Sequence, residues 1–127
     1  MQQRAGLLFL AKTTKRILLI LEDSKWTVPT FSRNKSLLED VTPLTENFSN
    51  GKILPIELYL SEDRGFEYGT YVCLVDQEFL TTKAESIAWC GLDHLPKNLH
   101  NGLKATLQNS IIQSKISTIL ELSNSLN

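Results

Sequence analysis

The sequence predicts an α+β domain: a mixed β-sheet sandwiched between helices, with a long helix at its C-terminal end. Three observations carry that prediction. Two near-continuous apolar runs, "AGLLFLA" (5–11) and "RILLILE" (16–22), flank a short polar run. Two later segments, "ILPIELYLS" (53–61) and "FEYGTYVCLVD" (66–76), have the alternation or the aromatic and β-branched content of strands. The stretch from about Asn101 to Ser123 then changes to a helical period.

Each element follows from its residues. The first two runs are apolar at successive positions, which suits strands covered on both faces. Between them, Lys12-Thr13-Thr14-Lys15-Arg16 reads as a solvated hairpin turn. In the third strand Ile56, Leu58 and Leu60 alternate with Glu57 and Tyr59, which predicts one inner face. Asp63-Arg64 and Gly65 mark the turn into the fourth strand. "AESIAWCGL" (84–92) reads as a fifth. The C-terminal helix carries Leu103, Leu107, Ile111, Ile112, Ile116, Ile119 and Leu120 at three-to-four spacing, and its apolar positions continue to Leu122 and Leu126. An earlier helix is predicted from Leu37, Leu38, Val41, Leu44 and Phe48. Either Ser36 and Glu39 form its capping box and Pro43 kinks it, or it starts with Thr42 as N-cap and Pro43 at its first position. His100 reads as the residue that caps or orients the start of the last helix.

The totals narrow the function classes. A chain of 127 residues with 42% hydrophobic and 21% charged residues builds one core and one domain, 1–127. Thirteen basic residues against 14 acidic give a net charge of −1, so a nucleic-acid backbone is not the expected partner. Cys73 and Cys90 lie in apolar segments and read as buried, reduced and inert, not as a disulfide framework. No run approaches the roughly 18 apolar residues of a membrane span, and the N-terminus lacks signal-peptide form. The expectation is a cytosolic protein.

The order strand, turn, strand, Trp26-Thr27-Val28-Pro29, helix, strands, Trp89, Leu95-Pro96, helix resembles the Nudix hydrolase family from Ala5 to about Leu107. It is most similar to small bacterial and phage-type members. "SEDRGFEYGTYVCLVDQEF" resembles the strand pair after that family's catalytic helix. "AESIAWCGLDHLPKNLHNGL" resembles its late Glu, Trp, Leu-Pro and Leu-His-x-Gly-Leu sequence. The phage-like landmarks imply, by analogy, a protein of a virus or mobile element that acts on a host component, in the host cytoplasm if viral.

The family's motif places a glycine-bearing loop and a helical set of glutamates around Mg²⁺ and a pyrophosphate, with an arginine orienting the carboxylates. This chain departs from it. Aligned from Phe31 without gaps, the first glutamate falls on Leu37, the arginine on Thr45, the next glutamate on Glu46 and the metal-binding pair on Ser49 and Asn50. Sliding the register to match Gly51 puts Phe48 and Ser49 at the pair and loses Glu46. Neither register restores two carboxylates. Glu46 and Glu85 are therefore weak catalytic candidates, and Glu46 is the weak metal candidate; Glu46 reads more simply as a solvated helix carboxylate, and Glu85 equally as one partner of an edge salt bridge. The adjacent pair Glu39-Asp40 diverges by about 100° on a helix and makes a poor shared metal site.

Ligand-binding candidates are Trp26, Phe31, Arg33 and Trp89, which offer stacking and phosphate contact. Trp26 with Pro29 serves equally as packing at a strand end. Phe66, Tyr68, Tyr71 and Trp89 are aromatic residues of the kind that either stack on a base or build the core. Three readings follow, in order. The first is a catalytically impaired scaffold acting as a protein-interaction module, through a partner or self-association at the C-terminal helix. The second is a nucleotide- or ADP-ribose-binding pseudoenzyme. The third is a Nudix-type pyrophosphohydrolase with relocated acids, which alone would require Mg²⁺.

Overall fold

The structure is a computed structural model that describes residues 2–32, 54–63, 65–81, 84 and 86–125. The predicted helix around Leu37–Phe48 lies outside the described residues, as do Arg33, Glu39, Asp40, Glu46, Glu85 and Leu126.

Among the described residues, seven strands form a mixed sheet: β1 (Gln2–Ala11), β2 (Arg16–Glu22), β3 (Lys25–Thr27), β4 (Thr30–Ser32), β5 (Leu54–Asp63), β6 (Phe66–Val75) and β7 (Ile87–Gly91). The main path is β3-β2-β1-β6-β5, with β4 pairing β1 and β7 pairing β2. The β1–β6 pair is parallel along its whole length, from Gln2 opposite Phe66 to Ala11 opposite Val75. The other pairings are antiparallel. β3 and β4 are short additions to the five predicted strands.

The double-sided apolarity of β1 has the predicted consequence. Leu8 and Leu10 join Ile17, Leu19, Val72 and Leu74 in one core cluster. Their neighbours Ala5, Leu7, Phe9 and Ala11 join Leu18, Cys73 and Val75 in a second. Successive residues of a strand point to opposite faces, so one apolar run supplies both cores. The polar turn after β1 folds back with Lys15 at φ 60° and its N–H donating to the Ala11 carbonyl at 2.8 Å. Lys12 pairs with Asp76 at 3.1 Å, and Arg16 makes a two-pronged contact with Glu78 at 2.6 and 2.9 Å. Two of the turn's three cations, Lys12 and Arg16, are thereby paired with the segment after β6.

Two details differ from the sequence-based expectation, and a third, the β2–β3 hairpin, lies outside it. The β5–β6 register shifts between Glu57 and Tyr59, so the alternation of Ile56, Leu58 and Leu60 does not run unbroken through one strand. The β2–β3 hairpin turns at Asp23 and Ser24, both at positive φ (50° and 65°), without the glycine that usually marks such a turn. The single long C-terminal helix is two: α1 (Asn101–Gln108) and α2 (Ser110–Ser125). Asn109 leaves the helical region at ψ 124°, and its Oδ1 accepts the N–H groups of Ile111 at 2.9 Å and Ile112 at 3.3 Å. An N-cap thus interrupts the chain where periodicity alone continues it. The buried stripe is Leu103, Leu107, Ile112 and Ile116, whose middle step of five residues absorbs the break. Ile111, expected on that stripe, is 66% exposed.

The two helices cover the first cluster, and their placement depends on β3. Trp26 donates its N–H to the Asn98 carbonyl at 2.9 Å, and His100 donates to the Trp26 carbonyl at 2.8 Å. Asn98 Nδ2 also reaches the Ser24 carbonyl at 2.9 Å. These bonds pin the start of α1 beside β3. His100 caps that helix as expected, its Nδ1 accepting the Gly102 N–H at 3.2 Å.

Candidate functional site

Pinning α1 beside β3 leaves a cleft of about 500 Å³ on the helix-covered side of the sheet. One wall is the chain from Glu22 to Thr30, through Asp23, Lys25, Thr27 and Val28. The floor comes from Tyr68 and Thr70 of β6, and the facing wall from His100, Gly102, Leu103 and Thr106. The lining is amphipathic. Val28 and Leu103 are buried core residues, whereas Thr27, Thr30, Thr70 and Tyr68 bring hydroxyl groups.

The floor has a local cause. Residues 68, 70, 72 and 74 share one face of β6, and Val72 and Leu74 belong to the helix-covered core. The change from apolar to hydroxyl side chains along that row is where the core ends and the cleft begins. Thr70 is buried at 4% exposure. Tyr68 lies across Gly6 of β1: a Cβ on residue 6 would collide with the phenol oxygen and stand 3.1 Å from Cζ. Burial pushes the Tyr68 phenol above its ordinary value, and the positive charge of Arg4 partly offsets this. Arg4 donates from Nη2 to Thr30 Oγ1 at 3.2 Å, tying β1 to β4 at the cleft's edge.

The sequence candidates separate. Trp26 lies between the lining residues Lys25 and Thr27 and packs against the helix-covered core. Trp89 packs against the opposite cluster, donating Nε1–H to the Phe79 carbonyl at 3.0 Å. Phe9, Phe79 and Trp89 there form successive edge-to-face contacts, each with centroids 5.3 Å apart. Tyr71 belongs to that second cluster too. The sheet therefore stands between the two tryptophans. Phe31 takes part in β4, paired with Ala5; Arg33, Glu46 and Glu85 lie outside the described residues. Cys73 and Cys90 are free thiols, Cys73 buried and raised by that burial to about 12.

Sequence reasoning singled out neither Arg4 nor the threonines. Two signals pointed to the threonines: Thr27 and Thr30 bracket Val28-Pro29, and Thr70 occupies a core register of β6. As to the Mg²⁺ that the resemblance implies, no group of three or more His, Cys, Asp or Glu residues able to hold a metal stands among the described residues. Among the described residues, Glu22 and Asp23 are the acidic residues lining the cleft, and they do not by themselves make such a site.

No family profile matches the sequence, and no curated protein matches it. Solved structures do match its shape. A nudix hydrolase family member from Chromobacterium violaceum is 15% identical with a TM-score of 0.65, covering 98% of this chain and 92% of that one. The Nudix hydrolase RenU from M. smegmatis is 15% identical with a TM-score of 0.66, covering 92% and 86%. A structure of the complex between the C-terminal domain of mouse MUTYH and human PCNA also matches, at 13% identity and a TM-score of 0.57, covering 98% and 90%. The protein has the Nudix fold.

Proposed function

From the Nudix fold as premise, we propose that this protein binds a nucleotide-type ligand, of the ADP-ribose or dinucleotide class, in the cleft between β3 and α1. The observation that carries the reading is the cleft itself. Its volume of about 500 Å³ falls within the roughly 300–1,000 Å³ of small-molecule sites, and its lining suits a ring joined to a sugar. Val28 and Leu103 offer apolar contact to a flat base. The hydroxyls of Thr27, Thr30 and Thr70 suit base edges, while Glu22 and Asp23 can accept from ribose hydroxyls.

Recognition without the family's hydrolysis is the form we favour, because in the sequence Ser49 and Asn50, or Phe48 and Ser49 in the other register, align with the paired glutamates of the family's motif. Loss of positioned groups of that kind costs orders of magnitude in rate. The test is a thermal-shift and calorimetric titration with ADP-ribose and dinucleotides, with and without Mg²⁺ or Mn²⁺, run beside phosphate release. Stabilisation without metal or turnover supports the reading. Metal-dependent turnover that disappears in Glu46→Gln would replace it with a hydrolase.

One observation favours a second reading, a protein-interaction module. Ile111 and Leu122 are 66% and 59% exposed on α2, and eleven residues of helix bring them to within about 20° of one face. The MUTYH–PCNA neighbour is a structure of a protein complex. Light scattering across concentration tests the self-association form: a monomer throughout removes it, and a dimer abolished by Ile111→Gln with Leu122→Gln supports it.

A further inference from the structure

The cleft's two ends differ in charge. At the β2–β3 end, Lys25 stands with the carboxylates of Glu22 and Asp23. At the other end Arg4 is half-buried against Thr30, and among the described residues it has no carboxylate partner. A cation partly removed from water favours the approach of an anionic group.

The hydrogen-bond directions add a second constraint. A guanidinium only donates, so the Arg4–Thr30 contact makes Thr30 Oγ1 an acceptor. The threonine's own proton is thereby freed to point elsewhere, and Thr30 lines the cleft. Beside it the Tyr68 phenol stays protonated to higher pH than usual because it is buried. Tyr68 holds this place because residue 6 is glycine: any side chain there would meet its phenol. A cation, a hydroxyl polarised by that cation and a neutral phenol thus converge on one corner.

We propose that the Arg4–Thr30–Tyr68 corner is an anion-recognising end of the cleft, taking a phosphate or pyrophosphate oxygen without a metal ion. Thr30 contacts the anion, Arg4 acts through its charge and through Thr30, and Gly6 is a positioning residue for Tyr68. The assignment rests on the cleft being a ligand site, and it names the part of the ligand read there.

The test uses the full chain and inorganic pyrophosphate, with adenosine and ADP-ribose as separate ligands, all in metal-free buffer. Amide resonances are followed by NMR, and affinities by calorimetry. The variants are Thr30→Val, which keeps the β-branched shape and removes the hydroxyl, Thr30→Ser, which restores it, and Arg4→Gln. Melting temperatures confirm that each is folded. Pyrophosphate is expected to shift the amides of residues 4–6, 30 and 68–70. Thr30→Val and Arg4→Gln should weaken pyrophosphate and ADP-ribose about tenfold to a hundredfold, as for hydrogen bonds to charged groups. Thr30→Ser should recover the loss, and adenosine affinity should not change in any variant. ADP-ribose binding that is equal in wild type and variants overturns the anion corner and leaves the nucleotide reading standing. Pyrophosphate binding that depends on Arg4, with no binding of adenosine or ADP-ribose, upholds the corner and overturns the nucleotide reading. No binding of any probe overturns both.

Discussion

Gly6→Ala is the sharpest probe of the cleft's construction. β1 is paired on both sides, with β6 along one edge and β2 and β4 along the other, so its backbone has little room to move. The added methyl would overlap the Tyr68 phenol oxygen, approach Cζ to 3.1 Å and touch Val28 Cγ2 at an ordinary 3.4 Å. Val28 can stay, so Tyr68 must leave the sheet surface. Overpacking of this kind costs about 1–3 kcal/mol, which for a domain of this size lowers Tm by roughly 3–10 °C. The reasoning is specific enough for a double-mutant cycle. In a Tyr68→Ala background the clash is gone, and alanine in a strand should then be neutral or stabilising by about 0.5–1 kcal/mol relative to glycine. Urea denaturation of the four proteins measures the coupling directly. If Gly6→Ala costs the same with and without Tyr68, the account of the floor is wrong.

Three further outcomes are expected. Asn109→Ala removes the acceptor for the Ile111 and Ile112 N–H groups and should cost about 1 kcal/mol by denaturant titration, with Asn109→Asp retaining most of it. The Asp23-Ser24 turn holds two non-glycine residues at φ 50° and 65°, so Asp23→Asn with Ser24→Gly should raise stability by about 1 kcal/mol and leave the Asn98–Ser24 backbone contact in place. Cys73 gives a pH effect. Its folded thiol is raised by burial from 9.0 to about 12, so between those values the unfolded chain has lost the proton that the folded chain keeps. Stability should therefore be unaffected by this group below pH 9 and fall by about 1.4 kcal/mol per pH unit above it, up to pH 12. Cys73→Val should flatten that part of the profile, read as the difference between the two proteins' stability curves.

What the sequence determined by itself is what near neighbours in the chain decide. The apolar runs of β1 and β2 require burial on two faces, and they fill both core clusters. The polar run from Lys12 to Arg16 has no route but a turn, and His100 caps the helix that starts at the next residue by accepting the Gly102 N–H. The order of these elements was enough to suggest the Nudix frame, which the solved structures bear out at the level of fold. Even locally there were losses: an asparagine with a competing cap ended a periodic stripe at Asn109, and the β5–β6 register shifts between Glu57 and Tyr59. Only the tertiary structure decided the site. Whether Trp26 and Trp89 share a pocket depends on which side of the sheet each faces, and the strand registers put them on opposite sides. The cleft joins Thr30, Tyr68 and Leu103, residues far apart in sequence, through the parallel pairing of β1 with β6 and the stitching of Trp26 to Asn98 and His100. Those contacts are fixed by the packing of distant segments, and no spacing along the chain encodes them.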